Sequence, residues 1–80
     1  MTHEEALALI EAEHKHAVEK HGARFSCHLE MHAVLFNEVL EVSYALHRGD
    51  INGNHGAKRK LAQVAAVCLK ALEGIDDAEK

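Results

Sequence analysis

Between Leu29 and Arg48 the chain reads LEMHAVLFNEVLEVSYALHR, with no glycine or proline to interrupt it. Apolar residues recur there in two stripes. Leu29, Ala33, Phe36, Leu40 and Tyr44 form one, and Leu35, Val39, Val42 and Leu46 form the other. This spacing predicts a helix whose apolar arc is too broad for packing on one side. Two neighbours are expected to cover it, either the other helices of the chain or a partner chain. Upstream, Ala6, Leu7, Ile10, His14, Ala17, Val18 and His21 recur at helical spacing. Thr2 and Glu5 form a T-x-x-E capping box, so a helix is expected from about His3 to a left-handed stop at Gly22. Ser26 is the expected N-cap of the central helix. Downstream, Leu61, Val64, Ala65, Cys68 and Leu72 mark a third helix over about Ala57 to Glu73, widened by the small residues Ala62, Ala66 and Val67. Gly74 should end it, leaving IDDAEK as a frayed acidic tail. The connection DINGNHG is turn chemistry throughout and could bend over a ligand. The predicted fold class is all-α: three helices, with the second sandwiched by the others or by a partner chain.

Eighty residues make a single domain, 1–80. A chain of this length buries only roughly 60–65% of the surface its unfolded form exposes. Oligomerisation is therefore the expected source of further burial. With 48% hydrophobic residues, no proline, and Phe25, Phe36 and Tyr44 as its aromatics, the core must be built from Leu, Val and Ala. The net charge of −4 argues against a binder of DNA or RNA duplexes, because a basic stripe is missing. Cys27 and Cys68 match no metal-ligand spacing and read as free thiols of a reducing cytoplasm. The acidic N-terminal stretch carries no signal-peptide pattern, and no run approaches the ~20 apolar residues of a membrane span. A cytoplasmic protein with no membrane contact is expected.

Three groups of residues could carry chemistry. Glu38 and Glu41 lie three apart inside the apolar helix and so share a face. Buried charge is costly unless paired, so this pair either reaches solvent or a cation from another helix, or holds a hard cation such as Mg²⁺. Lys58, Arg59 and Lys60 form the chain's only basic cluster, at the start of the third helix. Cations there oppose the helix dipole, which favours either a solvated charge run or a phosphate contact. His28 and His32 share a face at i,i+4, but nothing nearby completes a zinc set, so exposed or packed imidazoles are expected. No nucleophile–base set, Walker loop or dinucleotide fingerprint is present.

Three pieces in order carry a resemblance: A-L-I-E-A-E-(H)-x-x-A-x-x-K-H-G, then H-A-V-L-x-x-E-V-x-E-V, then L-x-Q-V-A-A-V-x-L-x-A-L-E. From about Ala6 to Gly74 the chain resembles the small phage and bacterial MazG-like proteins of the all-α nucleoside triphosphate pyrophosphohydrolase superfamily. The resemblance implies an oligomeric, four-helix-type bundle, a homodimer or homotetramer, with nucleotide held near Mg²⁺. Active members cleave an NTP to NMP and pyrophosphate, using E-x-x-E on one helix and E-x-x-D on the next. Glu38 and Glu41 match the first half as catalytic and metal-binding residues. Lys60 and Gln63 stand where the second half falls. Gln63 is a familiar variation, but Lys60 puts an ammonium where a metal-ligating carboxylate belongs. The nucleotide-binding set implied is Lys60, Gln63, Lys58, Arg59, Lys20 and His21.

A lysine for a glutamate changes the local charge by two units, and at ~4–5 Å from Mg²⁺ each unit counts for several kcal/mol. The Mg²⁺ site is therefore expected to be weakened, and phosphate favoured directly. The leading expectation is a MazG-like protein that binds or sequesters a nucleotide or nucleotide second messenger without efficient turnover. The alternatives are a working Mg²⁺-dependent pyrophosphohydrolase, with Glu11 or Glu13 supplying missing ligands, and a non-catalytic helical interaction module.

Overall fold

The computed structural model describes residues 1–78, and these form three helices without strands: α1 (His3–His21), α2 (His28–Arg48) and α3 (Ala57–Gly74). At the start of α1 the capping box is present in full. The Thr2 backbone N–H donates to Glu5 Oε1 at 2.8 Å, and the Glu5 N–H donates to Thr2 Oγ1 at 3.1 Å. These bonds, the backbone one foremost, hold the Glu5 carboxyl below its ordinary pKa. The N-cap of α2 is Cys27, not Ser26: its Sγ accepts the Glu30 N–H at 3.4 Å. Ser26 instead gives its backbone N–H to the Glu30 carboxylate at 2.8 Å. Gly49 ends α2 in the left-handed region, φ 74° and ψ 16°, and the Asp50 N–H reaches back to Ala45 O. Gly22 also has a positive φ, but its ψ of 166° leads into extended chain.

The order of the helices across the molecule corrects the expected one. α3 is the middle helix, packed on both α1 and α2, while α1 and α2 do not pack on each other among the described residues. The cause lies in side-chain size. α3 buries Ala57, Ala62, Ala66, Val67 and Gly74, a face small enough for two helices to approach at once. Of the stripe expected to face the core, Val64 and Ala65 are half-buried, whereas Leu61, Cys68 and Leu72 are exposed.

A hydrophobic cluster lies where α2 and α3 meet the connection between α1 and α2. Phe25, Met31 and Val67 are buried together, with Val34, Leu35, Ala71 and Ala78 packed around them. Lys70 is buried too, its ammonium 4.2 Å from the centre of the Phe25 ring, a cation–π contact. α3 ends at Gly74 as expected, without left-handed backbone there. A Cβ there would meet Arg24 Cδ at 2.9 Å, so the missing side chain makes room for Arg24. Arg24 Nη1 in turn donates to Glu73 O at 2.7 Å and to Asp77 Oδ2 at 3.0 Å, closing the end of α3. The acidic tail is thus docked as far as Ala78; Glu79 and Lys80 lie outside the described residues. No helix is long and apolar enough to cross a membrane among the described residues.

Candidate functional site: a charged cleft over α3

With α3 as the floor and α1 and α2 as walls, one side of the molecule forms a cleft of about 270 Å³. Helical spacing selects what faces it. On α2, Glu38 and Glu41 turn the same way as the core residues Val42 and Ala45. On α1, Glu13, His16, Lys20 and His21 line the opposite wall, and on the floor stand Arg59, Lys60 and Gln63. Three carboxylates therefore meet three permanent cations in one space.

These groups form a continuous chain of contacts. Lys60 Nζ lies 3.4 Å from Glu41 Oε2 and 3.3 Å from Gln63 Oε1. Gln63 Nε2 donates to Glu13 Oε1 at 3.1 Å. The other oxygen of Glu13 lies 3.5 Å from Arg59 Nε, an ion pair that lacks hydrogen-bond geometry and leaves the buried Nε without a partner. Glu38 Oε2 is likewise buried and unpartnered. Burial raises the Glu38 pKa, and the neighbouring Glu41 carboxylate raises it further, by its charge and by sharing a hydrogen bond with the protonated form. Lys60 opposes the shift. Both orphaned groups mark places where a ligand's donor or acceptor would find a partner.

The sequence-selected residues Glu38, Glu41, Lys60, Gln63, Arg59, Lys20 and His21 come together in this cleft. Lys58 does not: it stands on the other flank of α3, at an apolar pocket with Met1, Leu9 and Ile10. One turn of helix puts the three basic residues about 100° apart, so a run of three cannot share one face. Glu13 joins the site through Gln63 and Arg59, whereas Glu11 is exposed outside it. Sequence spacing gave no sign of His16, which lines the cleft one turn before Lys20. His28 and His32 do not meet over a common ligand. His28 Nε2 pairs with Ile75 O at 2.9 Å, and His32 leans toward the Phe36 ring.

Much of the acid in this cleft is already engaged by cations and donors of the chain. Glu41 is matched by an ammonium, and both oxygens of Glu13 are engaged by Gln63 and Arg59. Glu38 and the second oxygen of Glu41 are left without a cation, in a cleft that already holds the Lys60 ammonium. The same lysine, arginine and glutamine present donors to an anion, which is the chemistry this arrangement can perform. Comparison of the chain with protein-family models, with curated proteins and with solved structures finds no match.

Proposed function

We propose that this chain is a MazG-like nucleotide-binding protein that holds its ligand's phosphates in the three-helix cleft without efficient turnover. One observation carries the reading: Glu38, Glu41 and Lys60 line a single cavity, with the Lys60 ammonium beside Glu41. Lys60, Arg59 and Lys20 bind phosphate oxygens, while Glu41 accepts from sugar donors. At about 270 Å³ the cleft is just below the ~300–1,000 Å³ of small-molecule sites. A homodimer or homotetramer that closes over it, through the exposed apolar stripe of α2, completes the proposal. Cys27 and Cys68 are both free thiols, in keeping with a cytoplasmic setting.

The test is thermal unfolding against a nucleotide panel, with and without Mg²⁺. A bound nucleotide at about 100 times its Kd stabilises the native state by about 2.7 kcal/mol, and here the gain is expected without metal. Lys60→Ala should weaken nucleotide binding about tenfold, the loss of one charge-assisted hydrogen bond. Pyrophosphate release that requires Mg²⁺ would replace this reading with a pyrophosphohydrolase, carried by Glu38 and Glu41. No response to any nucleotide would leave a helical interaction module.

A further inference from the structure

Beyond the Glu41–Lys60 pair lies a second pocket, of about 180 Å³, lined by Glu41, Tyr44, Arg48, His55 and Lys60. It shares Glu41 and Lys60 with the main cleft, so this pair is a common wall and not the edge of the site. Arg48, the last residue of α2, points a lightly used guanidinium here. It makes one hydrogen bond of 3.4 Å, to the His55 carbonyl, and a long ion pair of 3.9 Å with Asp50. Most of its five N–H donors are free for an anion. Tyr44, one turn earlier on the same helix, adds a largely exposed ring that offers a flat face to a base.

The site thus has a cation in each of two basins, Lys20 and Arg59 on one side and Arg48, beside the His55 ring, on the other. Between them stands the Glu41 carboxylate, with Lys60 able to serve either side. A run of contiguous phosphates crossing from basin to basin would pass a phosphate against Glu41, a like-charge contact. A sugar crossing there would instead donate its hydroxyls to the carboxylate. Resting on the nucleotide reading, we infer that the ligand is a nucleotide phosphorylated on both sides of its ribose, one phosphate in each pocket. The ribose lies over the Glu41–Lys60 bridge, and the ring of Tyr44 faces the base.

Calorimetric titration in the presence of a chelator tests this with adenosine 3′,5′-bisphosphate against ADP, which carries the same two phosphates in one run. The separated bisphosphate should bind about tenfold more tightly, the factor one charge-assisted contact supplies. Arg48→Gln should remove that preference by weakening the bisphosphate alone. His55→Ala should act in the same direction and keeps the carbonyl that Arg48 uses, so it decides the matter if Arg48→Gln disturbs the loop. Equal or tighter binding of ADP, or equal weakening of both ligands by both variants, overturns the inference and leaves the nucleotide reading standing. If neither ligand binds, both fall.

Discussion

The two faces of α2 are built from the same kind of residue and meet different fates. The inner face buries Met31, Val42 and Ala45 against Phe25, Val67 and the alanines of α3, and sets Glu38 and Glu41 at the cleft. The outer face holds Leu29, Ala33, Phe36, Leu40 and Tyr44, and all five are exposed, Leu29 to 73% and Phe36 to 59%. Single exposed apolar residues are ordinary, but a continuous stripe along a five-turn helix is what the proposed oligomer would cover. The difference teaches where the chain's covering capacity goes. With α3 in the middle, both of its neighbours are used to cover α3, and none remains for the outside of α2.

Truncation on the inner face should have the largest effect. Met31→Ala removes a buried side chain from the closely packed cluster and is expected to cost about 2–5 kcal/mol. Total stability at this length is about 4–12 kcal/mol, so much of it would be lost. Urea unfolding measures this, and a loss below 1 kcal/mol would show that the cluster is not the core. On the outer face, Phe36→Asp should change the stability of a single chain by no more than about 0.5 kcal/mol, since the side chain touches little within it. It should instead split the proposed oligomer. Sedimentation of wild type and variant across a range of concentrations reads the outcome, and equal mass for the two would remove the outer face from the interface.

Much of this contrast was legible in the sequence. Helix boundaries followed from the capping box at Thr2, the glycines at 22 and 49, and the unbroken run of α2. Two apolar stripes on α2 were visible, but of the second only Val42 is buried, while Val39 and Leu46 are exposed. Lys60 and Gln63 were set beside Glu38 and Glu41 by the family resemblance alone, and the four line one cleft. What spacing could not supply was the order of the helices. Hydrophobicity favours Leu61 and Leu72 as core residues of α3, yet a helix packed on both sides needs a narrow face, and alanine provides one. That preference for small size over apolar surface also hid the role of Gly74, which looks like a stop signal and serves as space for Arg24. Lys58 was misplaced for a simpler reason, that consecutive residues of a helix diverge.

Glu38 lies at the boundary of the two faces' logic, a charge on an otherwise apolar inner surface, and its replacement should give the smallest effect on stability and the most informative one. Burial raises its folded pKa, and Glu41 raises it further. The sign follows from proton linkage: the folded state holds the Glu38 proton more tightly than the unfolded one. Its contribution to stability is therefore full below the ordinary glutamate pKa and is lost as pH rises through the raised folded value. Glu38→Gln removes this dependence, so the variant's stability should be flatter with pH above the ordinary glutamate value. At neutral pH it should equal or exceed wild type by about 0.5 kcal/mol or less, because solvent screens a half-exposed group. The same substitution removes one negative charge from the cleft that Lys60 faces. A site that grips phosphate should then bind nucleotide as tightly or more tightly, whereas a site that works through a metal would lose its activity. Reduced nucleotide affinity in Glu38→Gln, with stability intact, would mean that this carboxylate accepts from the ligand and that the acid side of the cleft is part of the grip.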